Sequence, residues 1–223
     1  MRRIFLSIII VCVIISSTVG VFAEALTEEQ VNELREYSVM VGDPDGNMRF
    51  EDTLTRAEAV KLIYNLSGFG EKGIYDSNEQ IEQSPMFFPD VSQIHWASEY
   101  ITWAKTSGIV EGDEKGNFNP EKPVTNEEFI KMLVSSLGYS PLAESRGGFP
   151  AGFIKIATDR GITKGLQFAV NTPAKRGDVA VMICSSFDVP LMKQNGFGDA
   201  VSFVIMDGSN GTKLQTLRDN FKK

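Results

Sequence analysis

The sequence predicts an all-α fold built from three helix-loop-helix units, and three observations predict it. A block of residues recurs without a gap at an offset of 70: Gly42, Asp43, Gly46, Asn47, Glu51, Thr55, Glu58 and Lys61 return as Gly112, Asp113, Gly116, Asn117, Glu121, Thr125, Glu128 and Lys131. A third copy follows at an offset of 53, where Trp96, Tyr100, Ile101, Ala104, Gly108, Ile109 and Gly112 align with Phe149, Phe153, Ile154, Ala157, Gly161, Ile162 and Gly165. It then drops three loop residues, so that Asn126 aligns with Arg176. Before residue 195 no convincing period-two pattern marks a strand. Copies of one unit imply a stacked or pseudo-symmetric array rather than one catalytic pocket.

The elements follow in order. The first helix opens on Thr27 and Gln30, and the second helices of the first two units open on Thr55-x-x-Glu58 and Thr125-x-x-Glu128. These are capping boxes, in which the Thr side chain and the acid or amide satisfy each other's backbone N–H groups. A first helix is expected over 96–107, with Trp96, Tyr100, Ile101 and Ala104 on one stripe. Gly108 suits its left-handed C-terminal cap, and Ile109 its hydrophobic closure. The connecting loops are rich in Gly, Asp, Asn and Pro. The third unit reads Lys175-Arg176-Gly177-Asp178 where the others carry the Thr cap, so Thr172-Pro173 offers an earlier helix start with proline in first position. From 192 to 223 the texture changes: 201–206 suggests a strand and 207–211 a turn. So short a stretch cannot stand alone as a domain. It is either the start of a truncated effector region or a flap packed on the repeats.

Composition narrows the function. The chain has 223 residues, 42% hydrophobic and 23% charged, which suits a globular protein. Its charge is 22 − 29 = −7, which disfavours nucleic acid and anionic lipid as partners. One histidine, His95, and two cysteines, Cys12 and Cys184, are too few for a His/Cys zinc site or most nucleophilic enzymes. Asp43-x-Asp45-Gly46-Asn47 imitates a calcium loop, but Met48 and Leu54 stand where that loop needs Gly and Glu. The loop is read instead as a turn held by its own Asp and Asn side chains. No metal or cofactor is expected, and the chain is not expected to be an enzyme.

Arg2 and Arg3, the apolar run 4–15 and the small-residue exit ending at Ala23 describe a secretory signal peptide over 1–23. The rival reading, an uncleaved anchor, is short against the ~20 apolar residues a span needs. Cleavage leaves Cys184 as a lone thiol, expected to be buried and inert, and a charge of 20 − 29 = −9. No direct membrane binding is then expected.

Phe88-Pro89-Asp90-Val91, Trp96-Ala97, Ile101, Gly108-Ile109-Val110-x-Gly112, Gly116-x-Phe118-x-Pro120 and Leu54-Thr55-Arg56-Ala57-Glu58 together resemble the S-layer homology domain family. The resemblance covers about 26–191 and implies repeats at 24–68, 87–140 and 145–191, with an extension over 192–223. It implies a pseudo-threefold prism whose grooves bind secondary cell-wall polysaccharide of Gram-positive bacteria, often through a pyruvate ketal met by the motif arginine. The expected role is non-covalent anchoring of an exported protein at the wall, with other surface-layer proteins as further partners. Two departures stand out. Asn126 replaces the arginine in the second copy, and the first copy lacks the Phe-x-Asp-Val lead.

The expected glycan-binding residues are Arg56, Arg176, Asn126, Lys164 and Trp96. A Thr-Arg-x-Glu helix start offers free N–H groups and a guanidinium fork to an anion. A cation at a helix N-terminus has the wrong sign for the dipole, and a bound anion would offset it. The rival reading pairs Arg56 with Glu51 or Asp52. For Trp96, packing is favoured over sugar stacking, and for Lys164 a solvated state over a groove contact. The alternative functions are a surface protein-interaction module and a small wall-glycan hydrolase. The hydrolase needs two opposed carboxylates, and the most prominent acids, Glu58 and Glu128, are accounted for by helix starts.

Overall fold

A computed structural model of the chain describes residues 26–69, 86–196, 201–209 and 211–222. The expected signal peptide lies outside the described residues. The described fold is mainly helical: α1 (Glu28–Glu36), α2 (Arg56–Tyr64), α3 (Ser98–Thr106), α4 (Asn126–Ser136), α5 (Ser140–Ser145), α6 (Ala151–Asp159) and α7 (Arg176–Ser186). A π-helical turn, Asn65–Phe69, extends α2. Helix α5 is an addition between the second and third units that the repeat pattern did not signal.

The helices divide into two classes for a compositional reason. In α2 seven of nine residues are buried, leaving Glu58 and Lys61 as the polar exceptions. Helix α4 buries Asn126, Glu127, Phe129, Ile130, Met132, Leu133 and Val134. A helix apolar nearly all round belongs in the interior, whereas one with a single apolar stripe lies at the periphery. Helix α1, which buries only Leu34, and α3, which buries Ile101 and Ala104, are of the second kind. Accordingly α3 packs on α2, and α6 packs on α4.

The local signals hold where they were read. The three capping boxes at Thr27, Thr55 and Thr125 are formed in both directions. After α3, Ile109 N donates to Ala104 O at 2.8 Å and Gly108 N to Lys105 O at 3.1 Å, a Schellman closure. The third unit repeats it from Ile162 N to Ala157 O, also at 2.8 Å. In the first unit Ser38 takes the left-handed place with φ 53°.

The third unit's second helix departs from expectation. It starts at Arg176, not at Thr172-Pro173, and Lys175 gives it no side-chain cap. The reason is that the extended stretch ahead of it is used by its neighbour. Asn126 N donates to Thr172 O at 3.1 Å, and Thr125 bridges Pro173.

That contact is one of a closed set. Leu54 N donates to Ala174 O, Ala174 N to Val124 O, and Val124 N to Leu54 O, at 2.9–3.2 Å. The extended residue before each second helix thus bonds both other units in a ring. Leu54, Val124 and Ala174 are all fully or nearly fully buried, so these bonds run through the core.

The last segment folds back onto the units. Strands β1 (Met192–Asn195) and β2 (Ser202–Ile205) form an antiparallel ribbon, with Met192 opposite Ile205. This bears out the strand expected near 201–206. A 3₁₀ helix, Leu217–Phe221, stacks Phe221 on Tyr37 at 4.4 Å. Arg218 forks onto Asp188 at 2.6 and 2.9 Å and also pairs with Glu33 of α1.

Candidate functional site

The site begins at the first residue of each second helix. Arg56 is only 9% exposed. Its Nε donates to Phe118 O at 2.9 Å, a second nitrogen to Glu111 O at 3.4 Å, and the third stands 3.3 Å from Glu128 Oε1. The guanidinium also lies 4.8 Å from the centroid of the Phe118 ring. All these partners belong to the second unit. Arg56 therefore does not pair with Glu51 or Asp52. Those acids are taken by Lys175 and Arg49.

Arg176 repeats the arrangement around the ring, donating from Nε to Met48 O of the first unit at 3.1 Å. Burial lowers its pKa from the ordinary arginine value, with Glu58 opposing. Asn126 makes the third link. Its Nδ2 donates to Thr172 Oγ1 at 2.9 Å, to Thr172 O at 3.2 Å and to Ala169 O at 3.3 Å in the third unit. At 3% exposure Asn126 is enclosed between units.

The free N–H groups expected at the start of α2 are not free. Arg56 N donates to Lys122 O at 2.9 Å, Ala57 N to Pro120 O at 3.0 Å, and Glu58 N to its own cap, Thr55 Oγ1. The next unit's loop consumes the amides that an anion would need. Positive charge at the site must come from side chains.

Those side chains line a cleft of about 190 Å³ formed mainly by the second unit, with Arg56 of the first and Phe149 of the third. Arg56, Lys122 and Lys131 supply cations, Glu111, Asp113 and Glu128 supply acids, and Phe149 supplies an aromatic wall. Lys131 Nζ stands over the rings of Phe149 and Phe153 at 5.6 and 5.8 Å and 3.4 Å from Glu111 Oε2. Glu128 is divided: Oε2 accepts from Thr125 N at 3.0 Å, while Oε1 faces Arg56 and, at 3.8 Å, Lys122. The sequence reading missed Lys122, Lys131 and Phe149. The signal was available, because Lys131 repeats Lys61 and Phe149 repeats Trp96.

The other expected residues lie elsewhere. Trp96 is 51% exposed, not packed into the core. It stacks beside His95 at 5.7 Å, while Lys61 Nζ stands over its ring at 5.8 Å. Ala97 N donates to His95 Nδ1, so Nε2 carries the proton toward Glu121. Lys164 is exposed in the turn after α6 and does not line the cleft.

The Phe-Pro-Asp-Val lead has a geometric role here. Asp90 accepts from Phe118 N at 2.8 Å and Asn119 N at 2.6 Å, and Phe88 leans on the Phe118 ring at 5.4 Å. The lead thus fixes the peptide that receives Arg56. The imitated calcium loop is also explained: Asp43 Oδ1 accepts from Asp45 N and Asn47 N, and Asp113 Oδ1 from Lys115 N and Asn117 N. These are local turn bonds, as expected.

Comparison with known proteins finds similar sequences. A family model described as the S-layer homology domain matches residues 87–130. The chain is similar to a cell surface protein of Thermoanaerobacter kivui, 29% identical over 69% of this chain and 18% of that protein. It is similar to the middle cell wall protein of Brevibacillus brevis, 28% identical over 88% of this chain and 18% of the relative. It is also similar to an uncharacterized cell wall amidase of Bacillus anthracis, 27% identical over 69% of this chain and 32% of the relative. The chain thus spans under a third of the length of each of these relatives. The motif residues at 88–91 and 118–125 stand within the matched stretch 87–130, and the chain is similar to S-layer and cell-surface proteins.

Proposed function

We propose that this chain anchors an exported protein non-covalently to the cell wall by binding a secondary wall polysaccharide with acidic, pyruvylated sugars. In this reading repeats 24–68, 87–140 and 145–191 surround a pseudo-threefold axis, 1–23 directs export, and 192–223 closes over the repeats. The observation that carries it is the cleft lined by Arg56, Lys122 and Lys131, with Lys131 over the half-exposed Phe149 ring. An acidic sugar offers the matching parts: a carboxylate for the cations and an apolar C–H face for the ring. Anchoring is preferred to hydrolysis because Glu58 and Glu128 are tied into helix caps, with their oxygens 2.8 and 3.0 Å from Thr55 N and Thr125 N.

The test is sedimentation of the chain from residue 24 onward with purified wall sacculi. Binding to sacculi that retain polysaccharide, lost when it is stripped or when pyruvate is chemically removed, is the expected result. Equal binding to stripped sacculi would point to a protein or peptidoglycan partner instead.

A further inference from the structure

We propose that the outer face of the third unit is a docking groove for an extended segment of another protein chain, one that carries a Phe and, two residues on, an Asp. The second unit shows the occupant. Its own lead lies across the matching face: Phe88 leans on the Phe118 ring at 5.4 Å, with Lys105 Nζ over the Phe88 ring at 5.9 Å. Asp90 accepts from Phe118 N and Asn119 N, and the lead borders Ile101. Under this cover Ile101 is 1% exposed and Phe118 is fully buried.

By the repeat offsets, the mates of Ile101, Lys105, Phe118 and Asn119 are Ile154, Thr158, Phe168 and Ala169. All four line one open groove of about 730 Å³, together with Leu166 and Val170. Ile154 and Phe168 are partly exposed where their mates are buried, and Thr158, Ala169 and Val170 are exposed. The sequence ahead of α6 carries no Phe-x-Asp-Val lead to lie there. In its place stands α5, which packs on a different face of α6, so close that a Cβ on Gly152 would lie 2.1 Å from Ala143 O. The third unit thus keeps the seat and has changed the segment that fills it. A Phe ring fits the apolar floor of Ile154, Leu166 and Phe168, where burial and ring contact both favour it. A carboxylate two residues on is then placed for Phe168 N and Ala169 N, as Asp90 is for their mates. This adds a polypeptide partner to the anchoring reading and does not depend on it.

The probe is a fluorescein-labelled peptide with the sequence of residues 86–91, titrated by anisotropy with the chain from residue 24 onward. Saturable binding is expected, weakened at least fivefold when the peptide carries Phe88→Ala or Asp90→Asn. Two substitutions in the chain assign the site, and both fall on exposed side chains, so the fold is not at risk. Thr158→Lys restores the cation that Lys105 holds over Phe88, and should tighten binding about two- to fivefold, the range of an exposed cation–π contact. Val170→Glu puts a negative charge in the groove and should weaken the parent peptide more than its Asp90→Asn form. A gain from Thr158→Lys cannot arise from misfolding. The proposal is overturned if the peptide does not bind, or if it binds equally to the parent chain and to both variants. In that second case the peptide has settled elsewhere, as by displacing the chain's own lead from the second unit. Sedimentation with wall sacculi should be unchanged by Thr158→Lys, which keeps this test separate from that of anchoring.

Discussion

Arg56 Nε donates to Phe118 O at 2.9 Å across 62 residues of sequence, joining the first unit to the second. The bond belongs to a charged group with an 11% exposed side chain, beside a carboxylate at 3.3 Å. Hydrogen bonds to charged groups contribute about 1.5–3 kcal/mol. Arg56→Ala should therefore destabilise the chain by about 2–3 kcal/mol, seen as a lower midpoint of urea unfolding. Arg56→Lys should recover little, because a point charge cannot serve three directions as the planar fork does. A loss well under 1 kcal/mol for Arg56→Ala would show the link to be incidental.

Asn126→Ala gives a sharper contrast. From sequence alone this position is an expected glycan contact that lacks the arginine of the other copies. In the fold it is 3% exposed and its Nδ2 serves Thr172 and Ala169 of the next unit. The substitution should cost about 1–2 kcal/mol. Asn126→Arg should not act as a simple gain of charge, since the longer side chain enters a closed interface. Unchanged stability of Asn126→Ala would contradict the clamp role.

These links show what the sequence could reveal. Caps and closures were legible because each is decided within a few residues: Thr55 needs only Glu58, and Gly108 only the turn before it. The strand near 202–205 was legible for the same reason. The ring of bonds among Leu54, Val124 and Ala174 was not, because its partners lie far apart in the chain. The same holds for the site. The repeat located Arg56 and Arg176, but whether a helix start presents N–H groups to a ligand depends on what the next unit packs against it. Pro120 and Lys122 cover those groups at α2, which no local motif announces. Trp96 was misread as core because a helical stripe does not say which neighbour ends where. Lys131 was visible as a repeat match, and its role needed Phe149 beside it.

The C-terminal flap should loosen in acid. The Arg218 fork lowers the pKa of Asp188 from the usual carboxylate value. A carboxylate with a depressed native pKa contributes stability above its unfolded pKa, about 4, and loses it as pH falls toward the native value. Asp178, raised by burial, works in the opposite sense, since its penalty is relieved on protonation. Thermal unfolding from pH 7 to pH 3 should thus show a pH-dependent loss that shrinks in Arg218→Met. An identical pH profile in that variant would remove the clasp from the account.

Cys184 should be a slow thiol. Burial first, then the nearby Glu33, push its pKa up to about 12. Only the thiolate is nucleophilic, so little reactive form exists at pH 8. Iodoacetamide should label the native chain from residue 24 onward far more slowly than the urea-unfolded chain. Equal rates would mean that the α1–α7 contact around Cys184 opens freely.

Gly138 and Gly46 together separate backbone strain from close packing. Both are left-handed, with φ 86° and 81°. An alanine at either place carries the same conformational cost, of order 1–2 kcal/mol. Around Gly46 an added Cβ would meet nothing within 4 Å, whereas at Gly138 it would lie 1.9 Å from Met192 O. That contact is with backbone, held by Met192 N donating to Leu137 O at 2.9 Å and by Tyr139 OH donating to Pro190 O at 2.7 Å. The clash cannot be relieved by turning a side chain. Either the 190–192 segment lifts from the end of α4, or α4 gives up its glycine closure. Gly138→Ala should therefore lose at least about 2 kcal/mol more than Gly46→Ala in the same denaturation experiment. Its excess loss should largely disappear in a chain ended at residue 189, where the opposing carbonyl is gone. If the two substitutions cost the same in the longer chain, the flap does not press on the repeats in solution.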